Sequence, residues 1–311
     1  MRLDIRYRCA FEYGALVHES QNELRACPVS DGRQTLISYR VTTSPASRVF
    51  SFEDYWGTRV DTFGVREPHI FLEVVAEATV ETKSTPLLTT SPLFDALRDP
   101  AFVQDHWEYL ERTRHADWND RVAAEAQAQL DLTGPEVVSA TLGIHRRVGA
   151  LLTYKPGSTY VGVDVDSVLE RGEGVCQDYA HLAVSMCRSV GIPARYVSGY
   201  LFTSRDDTGD DVDGDEVTVQ THAWFEAAVP GVGWLALDPT NRQAVGLRHV
   251  KIAHGRDYDD VSPLRGTYSG PKNATLEVSV EMRRLAAVSA TAQSHQQQAQ
   301  HHLQEQQQQQ Q

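Results

Sequence analysis

Cysteine is scarce in this chain: Cys9, Cys27, Cys176 and Cys187 are the four among 311 residues. None sits in a C-x-x-C pair, so neither a zinc site nor a disulfide framework is expected. Reduced thiols are then the default reading. Long apolar runs are missing too. Nothing approaches the roughly 20 residues that cross a bilayer, so no membrane partner is expected. The first residues, Met1-Arg2-Leu3-Asp4-Ile5-Arg6-Tyr7-Arg8, alternate like a strand and hold no apolar signal core. A cytoplasmic location is the expectation. Basic runs are also lacking. Lys and Arg number 29 against 42 Asp and Glu, a net charge of −13, which argues against a nucleic-acid partner. The acidic stretch Asp206 to Glu216 holds seven carboxylates but no D-x-D-x-D-G register. Gly214 at the sixth position would put Gly209 at the first, so a solvated loop is expected and not a calcium site. No metal and no other cofactor is expected.

What is present fits a globular protein with a sizeable core. Apolar residues make up 41% of the chain, and its length allows two domains. Residues 1–85 read as a β-rich N-terminal domain. Leu3 to Cys9, Gln34 to Thr42, Arg48 to Phe52 and Phe71 to Val80 have strand length and alternation, and turn residues separate them. Residues 86–134 read as a connector with helices at Ala101 to Thr113 and Trp118 to Leu130. Residues 135–285 read as a second, α+β domain. It opens on a helix from Pro135 to about Leu152, with proline in the first turn. A second helix covers Glu173 to Val190, where Ala180, Ala183, Val184 and Cys187 recur at spacings of three and four. Gly191-Ile192-Pro193 ends it. Strands follow at Ala194 to Phe202, Val217 to Val229, Trp234 to Leu237 and Leu276 to Met282. Residues 286–311 end in a Gln-rich tail closing on six glutamines, which cannot bury enough apolar surface to order.

The chemistry concentrates in Gly172-Glu173-Gly174-Val175-Cys176-Gln177-Asp178. Two glycines break the chain just before a helix, and Cys176 lies in its first turn. Unsatisfied N–H groups and the helix dipole put positive potential there, which favours the thiolate nucleophile. The same N–H groups can receive the oxyanion of a tetrahedral intermediate. The competing reading is a buried core cysteine. Cys187 fits that reading, about 16 Å further along the helix axis. Cys9 and Cys27 are read as structural.

A thiol nucleophile needs a base, and the base needs a group that holds its ring. His222 opens the segment His222-Ala223-Trp224, and Asp238 ends the next strand in Asp238-Pro239-Thr240-Asn241. If the connection is the three-residue loop Val229-Pro230-Gly231, Asp238 stands directly opposite His222. A longer loop shifts the pairing and would need a bulge to restore contact. His181, five residues past Cys176, lies about 140° round the helix and is read as structural.

Four segments together resemble the bacterial transglutaminase-like superfamily: Gly174-Val175-Cys176-Gln177-Asp178-Tyr179-Ala180-His181-Leu182, Gly191 to Leu201, His222-Ala223-Trp224 and Asp238-Pro239-Thr240-Asn241. Leu24-Arg25-Ala26-Cys27-Pro28 and Asp54-Tyr55-Trp56-Gly57 resemble the β-rich region that precedes this domain in a bacterial branch. Val250 to Gly266 resembles the branch's C-terminal segment. The resemblance spans about residues 1 to 285. It departs at Ala26, where the family usually has Leu, and at Thr58, where it usually has Asn. It implies a papain-like α+β core, a nucleophile helix packed on an antiparallel sheet. It implies that Cys176 is the nucleophile, His222 the base and then acid, and Asp238 the orienter. Tyr154 resembles a family block; it lines the cleft, donates to the oxyanion, or packs ordinarily. Trp224 either walls the site beside His222 or is a core aromatic.

The implied reaction is acyl transfer from a peptide or glutaminyl amide through a cysteine thioester. Hydrolysis, as a cysteine protease or amidase, is the preferred reading. Transamidation by a protein-glutamine gamma-glutamyltransferase and a non-catalytic peptide-binding module are the alternatives. The expected partner is a peptide or protein substrate, and the oligomeric state is left open.

Overall fold

The computed structural model describes residues 1–85, 90–203, 215–270 and 273–286. The Gln-rich tail and most of the acidic loop 206–216 lie outside the described residues. The N-terminal region supplies β1 (Arg2–Val17), β2 (Glu19–Leu24), β3 (Gln34–Ser44), β4 (Phe50–Glu53), β5 (Arg59–Val65) and β6 (His69–Thr82). Helices α1 (Pro100–His106), α2 (Asp120–Thr133) and α3 (Val137–Leu151) follow. Then come β7 (Thr153–Tyr154), α4 (Val165–Arg171), β8 (Glu173–Gly174), α5 (Cys176–Ser189), β9 (Ala194–Leu201) and β10 (Glu216–Val219). The chain continues through β11 (His222–Val229), β12 (Gly233–Asp238), β13 (Gln243–Ala244), β14 (His249–Gly255), α6 (Tyr258–Val261), β15 (Leu264–Ser269) and β16 (Ala274–Leu285).

Two sheets build the β-rich part, in the orders β10-β16-β1-β6-β3 and β15-β2-β5-β4. Strict alternation along β1 sends Leu3, Ile5, Tyr7 and Cys9 inward, where they share a core with Leu24, Phe63 and Val65 of the second sheet. The C-terminal strands pair with the N-terminal ones. β16 pairs antiparallel with β1 from Arg2↔Leu285 to Tyr13↔Ala274, and β15 pairs with β2. Both therefore complete the N-terminal sheets and stand outside the third sheet. The physical reason is that β1 is buried on one face and has two edges to pair; β6 takes one and β16 the other.

The third sheet, β13-β12-β11-β9-β14, is antiparallel and carries α5 against one face. Helix α5 is buried from Asp178 to Arg188, so it forms the centre of the second core with Phe225, Ala227 and Leu237. The strand expected over Val217 to Val229 is two strands. β10 leaves to pair with β16, and the chain re-enters at His222 as the first residue of β11. That break puts His222 at the end of the sheet, beside the head of α5. The same sheet also shares the first core, through Tyr196, Tyr200, Val250 and Ile252. The fold is α+β.

Candidate active site

Cys176 is the first residue of α5. The approach to it is fixed by a two-residue parallel pairing, Thr153↔Glu173 and Tyr154↔Gly174. At the third helical position the Asp178 carboxylate reaches back to accept the Val175 N–H at 2.8 Å. It also accepts from the Thr159 hydroxyl at 2.5 Å, which ties the 155–163 loop to the helix head. Gly174 permits this, because a Cβ there would stand 2.9 Å from the Asp178 Cβ. Burial pushes the Asp178 carboxyl up from its ordinary range, against those hydrogen bonds. Cys176 is only partly buried, whereas Cys9, Cys27 and Cys187 are all buried. Burial pushes the Cys9 and Cys27 thiols up to about 11. It pushes the Cys187 thiol up further still.

His222 donates through Nε2 to Asp238 Oδ2 at 2.8 Å, and the Cys176 thiol beside it reaches the carbonyl oxygen of Thr221 at 3.9 Å. Cys176 thus stands beside the start of β11, and His222, the first residue of that strand, is bonded to Asp238. Burial pushes the His222 imidazole down, but the Asp238 charge and hydrogen bond outweigh it, with help from Cys176, and hold it at about 10. Asp238 is completely buried. Burial alone would raise its carboxyl. The His222 charge and the donors around it hold it far below the ordinary carboxylate range instead.

The hairpin register differs from the one expected. The connection is three residues long but is Pro230-Gly231-Val232, because Val229 pairs with Gly233. The ladder ends at Phe225↔Leu237, one residue short of Asp238. Extending the same register places Asp238 across from Trp224, two residues from His222. A two-residue shift preserves parity, so Asp238 and His222 remain on one face as diagonal neighbours. The 2.8 Å bond forms without a bulge.

Asp238 is gripped by more than His222. Its Oδ1 accepts the N–H groups of Thr240 (3.0 Å) and Asn241 (3.2 Å) in the turn after β12. Its Oδ2 also accepts from Asn241 Nδ2 at 2.8 Å and from His249 Nε2 at 3.1 Å. Neither Asn241 nor His249 was singled out in the sequence. The signal for Asn241 was the Asp-Pro-Thr-Asn turn itself. The signal for His249 was its place at the head of β14, which pairs with β9 as β11 does.

Trp224 does not wall the cleft. It is completely buried, its ring 6.2 Å from His222 and 5.4 Å from His249, edge-on to the latter. The alternation of β11 turns it to the same face as His222, but toward the interior. Gly199 on β9 makes room for it. A Cβ at Gly199 would overlap both the Val250 carbonyl oxygen and the Trp224 ring. Gly199→Ala is therefore expected to destabilise the fold by about 1–3 kcal/mol and to lower activity through a displaced Trp224. Thermal unfolding alongside turnover checks this; an unchanged melting temperature would mean the backbone gives way. Tyr154 is 53% exposed on β7, next to the segment that leads into Cys176. His181 is buried, stacked between His115 and Tyr196, and its Nε2 accepts the Tyr258 N–H at 3.2 Å. It supports the fold behind the helix.

The ring and carboxylate atoms of His222, Asp238 and His249 lie within 4.8 Å of one another, a spacing that could hold a metal ion. The chemistry of the donors disfavours this. His249 Nδ1 accepts the Gly246 N–H at 3.2 Å, so its Nε2 carries the hydrogen. The 2.8 Å and 3.1 Å contacts are ordinary hydrogen bonds to a carboxylate.

The core profile of the transglutaminase-like superfamily matches residues 123–239, and that of the bacterial transglutaminase-like N-terminal region matches residues 3–81. An uncharacterised protein of Mycobacterium leprae is 38% identical over 285 residues, 92% of this chain and 99% of that protein. One from Mycobacterium tuberculosis is 32% identical over 307 residues, covering 90% and 92% respectively. A protein-glutamine gamma-glutamyltransferase of Pseudomonas aeruginosa is 30% identical over 151 residues, 48% of this chain and 22% of that one. Among solved structures, a Cytophaga hutchinsonii protein with a provisional cysteine-protease designation superposes with a TM-score of 0.70. It covers 92% of this chain and 91% of that one at 23% identity, a likeness of fold. Profiles, relatives and architecture agree: the chain belongs to the transglutaminase-like superfamily.

Proposed function

We propose that this chain is a cysteine-dependent amidase or protease, cleaving peptide or glutaminyl amides through a Cys176 thioester. The observation that carries the reading is a partly buried cysteine at a helix head, next to the residue before His222, with His222 bonded in turn to a buried Asp238. The Cys176 sulfur attacks the amide carbonyl. The N–H groups at the head of α5 receive the oxyanion. The His222 imidazolium gives its proton to the leaving amine, the C–N bond breaks, and a thioester remains. Neutral His222 then takes a proton from water as the water attacks. The acid leaves, and the thiolate and imidazolium return. Asp238 holds the ring throughout and steadies its charged form.

A second reading, transfer of the thioester to an amine, is favoured by the 30% identity to the Pseudomonas gamma-glutamyltransferase. Mass spectrometry of a glutamine-bearing peptide, with and without a primary amine, separates the two. Conversion of glutamine to glutamate in both cases supports hydrolysis, and an amine adduct supports transfer. A non-catalytic module would leave the peptide intact and Cys176 unreactive toward iodoacetamide at neutral pH. The thiol chemistry suits a compartment that keeps cysteines reduced, and we place the protein in the cytoplasm on that ground.

The raised His222 predicts the pH profile. The ordinary histidine value is about 6.5, and His222 is held at about 10. kcat/KM is therefore expected to stay level from neutrality to about pH 9 and to fall through about 10, as the leaving amine loses its proton donor. The linked stability has the same sign. The His222 contribution is complete below about pH 6.5 and is lost as pH rises through 10. The Asp238 contribution is complete above about pH 4 and is lost on acidification. Asp238→Asn removes the charge that outweighs burial, so the alkaline limb should drop by two units or more. A wild-type limb near 7 would contradict the assignment.

A further inference from the structure

We infer that His249 is a positioning residue of this site: a permanently neutral second imidazole that holds the Asp238 carboxylate in one rotamer opposite His222. The inference rests on the reading of Cys176, His222 and Asp238 as a reacting triad. His249 adds to it a role that the triad does not contain.

The tautomer follows from the hydrogen bonds. The Gly246 N–H can only donate, so His249 Nδ1 accepts it and is bare. An ionised carboxylate can only accept, so His249 Nε2 donates to Asp238 Oδ2. Both nitrogens are committed, one in each role, which is possible only for the neutral ring. The surroundings oppose its protonation. His249 is 5% exposed. Burial is the largest influence pushing it down, and the nearby His222 and Arg33 charges add to that, against Asp238. The charged groups facing it are Asp238 from β12, His222 from β11 and Arg33 from the segment before β3. Arg33, Lys83 and Lys251 line the small cavity that His249 borders.

The consequence concerns Asp238. Three donors meet on Oδ2: His222 Nε2 at 2.8 Å, Asn241 Nδ2 at 2.8 Å and His249 Nε2 at 3.1 Å. Oδ1 is held by two backbone N–H groups. His222 and Asn241 approach from the partly solvated side, whereas His249 is the donor from the closed interior. Asn241 and the turn hold the carboxylate from its own strand end; among the described residues, His249 alone of the side chains other than His222 reaches it from a different strand. It thereby links β14 to β12 across the sheet. Its N–H dipole also draws negative charge away from His222, so it moderates the pull of Asp238 on the imidazolium.

The test compares His249→Phe, which keeps an edge-on ring against Trp224 but has no donor, with His249→Gln, whose amide can donate where Nε2 did. In the full chain, His249→Phe should lower kcat by about 10-fold to 100-fold with KM little changed, and should move the alkaline limb upward. His249→Gln should recover most of kcat and the wild-type limb. Equal losses in both variants, or a His249→Phe protein with unaltered kcat and limb, would overturn the inference. Two readouts need no turnover. Imidazole nitrogen NMR of the wild type should report His249 neutral with hydrogen on Nε2 from pH 5 to 9; an imidazolium or the other tautomer in that range overturns it. The pH profile of Cys176 alkylation should change in His249→Phe. Slow, unselective alkylation in the wild type would instead count against the triad itself, so the two failures are distinguishable.

Discussion

Cys176→Ala is expected to lower kcat/KM on an amide substrate by at least about 10⁴-fold while the protein stays folded. The loss is large because the sulfur forms the bond that splits the reaction in two. Without it the helix-head N–H groups and His222 can only position water, a residual advantage of about 10³ to 10⁴ over solution. The fold survives because Cys176 is only partly buried and lies at the margin of the first core. Cys187 supplies the control on the same helix. It is fully buried, and burial pushes its thiol up well above the ordinary range. Cys187→Ala should leave kcat intact and cost about 1–2 kcal/mol through lost contacts and a small cavity. Turnover assays and thermal unfolding of the two variants are expected to give opposite patterns. Activity retained in Cys176→Ala would place the nucleophile elsewhere.

The contrast between these two cysteines was legible before any coordinates. Gly172 and Gly174 break the chain before a helix, and the three- and four-residue spacing through Cys187 marks its inward stripe. Both depend on local sequence. The hairpin was half legible. Its length of three residues matches the expectation and its position does not, because Pro230 opens the turn instead of standing inside it. The His222–Asp238 bond withstands the shift because parity is kept. Pairings between distant segments were not legible. β16 finds β1 across the whole chain, and nothing in residues 274–285 says which edge they will complete. His249 is not legible for the same reason: its value depends on β9 pairing with both β11 and β14. Trp224 could be assigned to a face by alternation, but whether that face opened on solvent or on the segment around Arg33 was a tertiary question.

That covered face carries the second large effect. Glu226 stands four residues after His222 on the same side of β11 and is 1% exposed. Its carboxylate takes Lys251 Nζ at 2.7 Å, Arg195 Nε at 2.7 Å and Arg33 Nη2 at 3.1 Å. Three cations therefore meet one carboxylate away from water, and Arg33 comes from the N-terminal region. Glu226→Gln keeps the shape and removes the charge. The expected cost is about 3–5 kcal/mol, because Lys251 and Arg195 have almost no access to solvent; Arg33, at 22% side-chain exposure, contributes less. The pH dependence identifies the mechanism. Burial already pushes the Lys251 amine down to about 8, against the pull of Glu226. A base held below its unfolded value releases its proton first in the folded state, so stability rises with pH between about 8 and 10.5. Without Glu226 the amine falls further, and the rise begins at lower pH. The penalty of Glu226→Gln should therefore be greatest near pH 6 and smaller near pH 9, as Lys251 sheds its charge. Denaturant unfolding at both values measures it. A penalty below about 1 kcal/mol at pH 6 would mean that the cations reach water as a surface pair does. A large penalty independent of pH would mean that lost packing, and not uncompensated charge, accounts for it. Where the penalty is large, activity should fall together with stability. The same strand that buries Glu226 carries Trp224 and His222, so loosening it releases the ring that must face Cys176.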